Sequence, residues 1–512
     1  MGGVVYFPRG DYKFRAALEV PPKTVLRGER QDLVHLFWTG ALDNRLEAVI
    51  LGTNQFGMED LTLTFVAANN GILADIPRQG AVAIPQVKQT GEHAGNIFLR
   101  RVRMRWLLYG GHLSIAQANQ LFTETARDGG YGAVGFLFAF GGRNIQVSDC
   151  DFYSSGNVFN LVEAKGAQIT RNRFSIGRCG WANFDGCDGV ICEDNSFIGA
   201  DNMVRSGVTF WSYQLPMRNA YFARNFLNNV YYHDREGMTT DGASGKYFGP
   251  VVASGISSVT LPEGVSFKPN EIVGHTCFVL DGAGKGQWRG VIANDERTLT
   301  LDRQWDVIPA SDSIIGVNHT VAHLLILGNT MEDVGIAFQF YGTAMDSIVA
   351  QNRCVRAGGF FSHAARYPGG SKDEKDTQPQ FFVQYLDNEV VEGYTPFEIR
   401  GYDYGQGHSV IGVQGFSWGG GKLEWKWPLA LGFVIRGNKL DSNAKIRVHG
   451  VADGDGPPLV EDVVVERNTL SCSRVGIDVG PRCVGIVIRR NSFHEVDLPF
   501  AGAGLPGALV EK

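Results

Sequence analysis

Charge is scarce in this chain of 512 residues. Asp, Glu, Lys and Arg make up 20%, and 47 basic against 53 acidic residues leave a net charge of −6. With no polycationic stretch, nucleic acid is not an expected partner. No apolar run reaches the roughly 18 residues of a membrane-spanning helix, so no membrane partner is expected either. The eight cysteines (150, 179, 187, 192, 277, 354, 472 and 483) show no CxxC pairing, which argues against a zinc centre. They are expected as buried thiols, with Cys187 and Cys192 able to bridge in a secreted protein. A Gly-x-Ser-x-Gly elbow is missing, which disfavours an esterase.

What the chain has is glycine, 66 residues of it, and a repeat. Nine hydrophobic stretches end in Asn, one further residue and usually an apolar one: TRNRF, EDNSF, ARNFL, LGNTM, AQNRC, LDNEV, RGNKL, ERNTL and RRNSF. The asparagines are Asn172, Asn195, Asn225, Asn329, Asn352, Asn388, Asn438, Asn468 and Asn491. Three neighbouring pairs lie 23 residues apart (172 to 195, 329 to 352, 468 to 491), a period that belongs to solenoids. β-Branched residues before several of these asparagines make the unit a strand, and Asn tolerates the left-handed bend leading to the next. Stacked in register, the amides are expected to pair as a ladder, with Cys150 taking one interior place. The fold class is therefore all-β, a right-handed parallel β-helix in which each coil buries its apolar face against its neighbours.

The opening segment carries a second signal. GGVVYFPRGDYKF followed by LEVPPKTVLRGE, with Gly2, Gly3, Pro8, Gly10, Tyr12, Val20, Pro21, Leu26 and Gly28 in order, resembles the first coil of the pectate-lyase-like superfamily. The resemblance implies a carbohydrate-active β-helix and leaves the chemistry open. It also implies export, secreted or periplasmic, with no signal peptide within this chain.

Between Asn225 and Asn329 the repeat is interrupted. Short alternating segments joined by Gly and Asp turns predict a small inserted β-rich subdomain over 248–318. It divides β-helix coils at 1–247 from further coils at 319–512, and such excursions tend to lie beside a solenoid's working face.

Counting about ten residues on from each ladder position gives a second column, rich in polar side chains: Asn183 and Asp185, Arg205, His233 to Glu236, Gln339 and Tyr341, His363, Glu398, Arg447 and His449, Asp478. A solenoid interior cannot hold such charges unpaired, so they are expected to face a groove suited to a linear polysaccharide. The densest cluster is YYHDREGMTTDG. On an extended strand Asp234 and Glu236 point the same way, roughly 7 Å apart. That is close to the carboxyl spacing of about 6.5 to 9.5 Å of an inverting glycosidase, in which one carboxylic acid protonates the leaving oxygen and a carboxylate activates water. Asp234, Glu236, Asp185 and Asp241 are the catalytic candidates. His233, Arg235, Arg205, Gln339, Tyr341, His363, Arg366 and Glu398 are the substrate-binding candidates. Trp418, Trp425 and Trp427 either stack on sugar rings or pack against the solenoid.

Three functions fit: an inverting glycoside hydrolase, a polysaccharide lyase with Arg235, His233 or His363 as base, and a non-catalytic tailspike-like glycan-binding protein. Epimerases share the lyase's first step. No cofactor is expected; the one hint of Ca²⁺ is DGDG at Asp453 to Gly456, which lacks the rest of a ligand loop. The expected partner is a polysaccharide or oligosaccharide, and oligomeric state is left open.

Overall fold

Every asparagine of the repeat turns out to stand at the same corner. In the computed structural model, which describes residues 2–39, 46–66, 68–75, 95–107, 135–177, 180–200, 204, 206–213, 215–230, 235–242, 245–366, 375–393, 410–417, 425–451 and 456–511, the chain winds as a parallel β-helix. Each coil contributes strands to three faces. One coil supplies Asp188–Glu193 to the first face, Ser196–Gly199 to the second and Ser206–Ser212 to the third. The next supplies Met217–Ala223, Phe226–Val230 and Glu236–Gly242, each parallel to its counterpart. Among the described residues the only helical turn is Leu505–Gly507, and no helix is long and apolar enough to cross a membrane.

The asparagine stands between first and second faces. Nδ2 of Asn172 donates to Oδ1 of Asn195 at 3.0 Å, and the pattern continues through Asn225, Asn329, Asn352, Asn388, Asn438, Asn468 and Asn491. Each acceptor oxygen also takes the backbone N–H of the preceding asparagine, as from Asn329 to Asn352 at 2.9 Å. The second amide hydrogen goes to a strand carbonyl, as from Asn352 to Ile326 at 2.9 Å. Buried amides are thus satisfied on every side. Cys150 extends the ladder, its N–H donating to Asn172 Oδ1 at 3.0 Å, and burial pushes its thiol up to about 12. Cys187 and Cys192 are buried free thiols.

The left-handed bend falls one residue earlier than expected. Arg171, Asp194, Arg224, Gln351, Asp387, Arg467 and Arg490 have φ between 52° and 58°, and Gly328 and Gly437 fill the same place at 63° and 69°. The asparagine is selected for its inward amide, and its predecessor carries the turn. Two residues after each asparagine an apolar side chain points inward, stacking for example Phe152, Phe174 and Phe197 at 5.5 and 4.9 Å. Each fully buried aromatic ring of this kind contributes roughly 2 to 3 kcal/mol.

The opening coil shows why its residues recur. Tyr12 Oη donates to the Pro8 carbonyl at 2.7 Å, bracing the first corner. A Cβ on Gly28 would lie 2.1 Å from the Asp60 carbonyl of the next coil, so only glycine fits.

Between Tyr247 and Asn318 lies an antiparallel sheet of seven strands with its own core of Val259, Leu261, Val279, Leu299, Trp305, Ile315 and neighbours. It leaves from the end of a third-face strand and docks on the first face. Phe278, Leu280 and Trp288 pack on Ala322, Met345, Phe381 and Leu431, an outward row in register across four coils. Trp288 Nε1 donates to Asp346 at 2.7 Å, and Lys285 pairs with Glu461.

Candidate active site on the third face

Among the described residues the first-to-second corner is uniform, while the count of residues from a second-face strand to the next third-face strand differs from coil to coil, from Ile176 to Ala182 in one and from Val391 to Val410 in another. Alternation then sorts the side chains of the third face. In Ala182–Asp185, Ala182 and Phe184 enter the core while Asn183 and Asp185 face out.

Register builds two outward rows. One runs Asn160, Asn183, Thr209, Thr239, Gln339, Phe361, Gly412, Arg447, Asp478. The other, one pleat further along, runs Val162, Asp185, Trp211, Asp241 and then Tyr341, His363, Gln414, His449, with Asp241 and Tyr341 each two residues on from the paired Thr239 and Gln339. Asp185 and Asp241 are two strands apart, with Trp211 between them. At about 4.8 Å per strand, their Cα atoms stand roughly 9.5 Å apart. Asp185 is buried, at 3% exposed, and Asp241 is half-buried, its Oδ1 accepting the Gly242 N–H at 2.9 Å. Trp211 lies 6.0 Å from Trp181 and edge-on to Tyr213 at 5.7 Å, so aromatic surface adjoins the carboxylates.

Asp234, His233, Arg205 and Glu398 lie outside the described residues. Thr209 and Trp211 stand in the two rows on strand Ser206–Ser212, Thr239 and Asp241 on Glu236–Gly242, and Gly412 and Gln414 on Val410–Ser417. Glu236 begins its strand below these rows. Its carboxylate accepts from Gln339 Nε2, and Ser206 Oγ lies 3.3 Å away. Gln339 also donates to Thr239 Oγ1 at 3.1 Å, which ties both side chains into the wall. Arg235 sits in a left-handed turn (φ 52°), 9% exposed, with its aliphatic stem over Gly335, a packing role at the edge of the face.

Tyr341 and His363 keep their places as register neighbours. His363 is 1% exposed, stacked on Phe361 at 5.4 Å and edge-on to Phe416 at 5.9 Å. Burial pushes its imidazole down to about 4, so it is neutral at neutral pH. Arg366 falls on the inward side of the strand, 3% exposed, its guanidinium 5.5 Å from the Trp425 ring. Trp425 and Trp427 pack on Phe248 at 4.9 and 5.0 Å, so packing is their role, and Trp418 lies outside the described residues. Trp211 was not among the candidates, although the alternation of GVTFWS already placed Thr209 and Trp211 on one side. Among the described residues no three His, Cys, Asp or Glu side chains converge as a metal site; Asp453 and Asp455 lie outside them.

No family model and no curated protein matches this chain. Among solved structures its backbone is similar to the catalytic domain of a GH87 alpha-1,3-glucanase in complex with nigerose (10% identity, TM-score 0.37), covering 99% of this chain and 63% of that one. It is also similar to the A-module of mannuronan C-5 epimerase AlgE4 of Azotobacter vinelandii (12% identity, TM-score 0.39, 100% of this chain and 91% of that one). A third is the family 28 exopolygalacturonase of Yersinia enterocolitica, at 10% identity and TM-score 0.38, covering 99% and 72%.

Proposed function

We propose that the protein cleaves glycosidic bonds of a polysaccharide or oligosaccharide lying along the third face, by inverting hydrolysis. The observation that supports this is the outward row in which Asp185 and Asp241 flank Trp211. A Cα separation of roughly 9.5 Å is at the upper end of the spacing an inverting pair uses, with room for a water between carboxylate and sugar. We assign Asp185, the more buried of the two, to the general acid. Asp241, more open to solvent, suits the base that activates water. Trp211 offers the indole face on which a sugar ring stacks, and Tyr341 continues the wall.

β-Elimination is the second reading, favoured by one observation: neutral His363 beside Tyr341 could take a proton alpha to a uronate carboxylate. Digesting a broad polysaccharide panel, with reducing ends and the ultraviolet absorbance of unsaturated uronate followed in parallel, tests both. Reducing ends without absorbance support hydrolysis; rising absorbance supports elimination; neither signal from any glycan would leave a binding protein.

A further inference from the structure

Several arginines elsewhere on this solenoid are matched to carboxylates. Arg224 donates to Asp194 at 2.9 Å and to Glu193 at 2.6 Å, and Arg171 to Asp149 at 2.8 Å. Arg436 and Arg489 share Glu466 at 2.7 Å each. Strand Lys445–Val451 on the third face is arranged differently. Ile446 and Val448 enter the core, so Lys445, Arg447 and His449 all face out, about 6.8 Å from one to the next.

Among the described residues their one acidic neighbour is Asp478, opposite Arg447 on the adjoining strand. It lies 3.2 Å from His449 Nε2 but 3.9 Å from both Lys445 Nζ and Arg447 Nε, too far for a hydrogen bond. Arg447 Nε is buried and has no hydrogen-bond partner among the described residues. Burial, and then Arg447, lower the pKa of Lys445, so the cations crowd one another. Among the described residues, lysine and arginine bring two positive charges against one carboxylate.

We infer that Lys445, Arg447 and His449 form a subsite for an anionic substituent of the glycan, a carboxylate or a sulfate. The inference rests on reading the third face as a glycan groove and adds the class of sugar that groove takes. Register supplies the geometry. His449 lies in the same outward row as Asp241, four strands further on through Tyr341, His363 and Gln414, or roughly 19 Å along the axis. A chain of several sugars passing Trp211 would reach the cluster, where an acidic group would accept the donors that Asp478 leaves unused.

The test is affinity electrophoresis of the full chain in gels containing polygalacturonate, chondroitin sulfate, laminarin or dextran. The first carries carboxylates alone, the second sulfates as well, and the last two no charge. Retardation by one or both acidic glycans is expected. The double substitution Lys445→Gln and Arg447→Gln should weaken it about tenfold with the melting temperature unchanged. Asp478→Asn should strengthen it, a gain that a merely structural cluster would not give and that keeps the test open if the double variant misfolds. Retardation by the neutral glycans alone, or acidic binding unaltered in all variants, overturns the subsite and leaves the groove standing. No retardation by any glycan overturns the groove reading itself.

Discussion

Two regions of one coil obey opposite rules. At the first-to-second corner each polar side chain answers an identical one above and below, eight amide links run from Asn172 to Asn491, and the turn never changes length. On the third face the side chains in one row change from coil to coil: Asp185, Trp211, Asp241, Tyr341, His363. Repetition is what a stacked interior needs, since any odd member would strand a neighbour's hydrogen bonds. Heterogeneity is what recognition needs, because each position along a bound chain meets different chemistry.

Substitutions on the two regions should therefore separate cleanly. Asp241→Asn, and independently Asp185→Asn, is expected to lower turnover by about 10² to 10⁴-fold while leaving the thermal melt near wild type, since neither carboxylate lies in the ladder. Substantial residual activity in both variants would move the catalysis elsewhere. Asn352→Ala is expected to do the reverse. It removes the acceptor of Asn329 and the donor to Ile326 and Asn388, leaving buried groups unmet at about 1 to 3 kcal/mol each. The melt should fall by several degrees with unchanged product specificity, and an unchanged melt would deny the ladder its role. Trp211→Ala should raise KM or Kd about fivefold, the loss of one stacking partner worth about 1 kcal/mol, with little effect on folding.

Acid should act on the third face. His363 is pushed down to about 4 from an ordinary 6.5, so between those values the unfolded chain takes up a proton that the folded chain refuses. Its contribution to stability is complete above pH 6.5 and is lost as pH falls toward 4. His275, buried against His319 at 3.7 Å in the inserted sheet, is shifted in the same direction. A melt series over that window should decline less steeply for His363→Gln than for the wild type; parallel declines would assign the acid sensitivity to His275 and its surroundings.

The same contrast decides what the sequence disclosed. The ladder was legible because nine asparagines carry one role, although the left-handed residue proved to be the one before. The inserted sheet was visible as a change of pattern, though not its docking on the first face, which depends on the row Ala322, Met345, Phe381 and Leu431 meeting only after folding. The third face was legible as a polar column and not in register. From ladder to column the chain uses 14 residues after Asn195 (to Thr209), 10 after Asn329 (to Gln339) and 24 after Asn388 (to Gly412), so a fixed count drifts. A count of ten from Asn195 stops short of Thr209 and passes over Trp211. Arg366, expected to touch substrate, lies inward because a long amphipathic side chain buries its stem as readily as it exposes it; Trp425 takes the packing alternative of its two readings.

The central claim, that Asp185 and Asp241 act as a pair spaced for a water, is met most directly by following the first-formed product with proton NMR. The account predicts a reducing end whose anomeric configuration is opposite to that of the bond cleaved. A retained configuration, or an unsaturated sugar in place of a new reducing-end anomer of that kind, would contradict it.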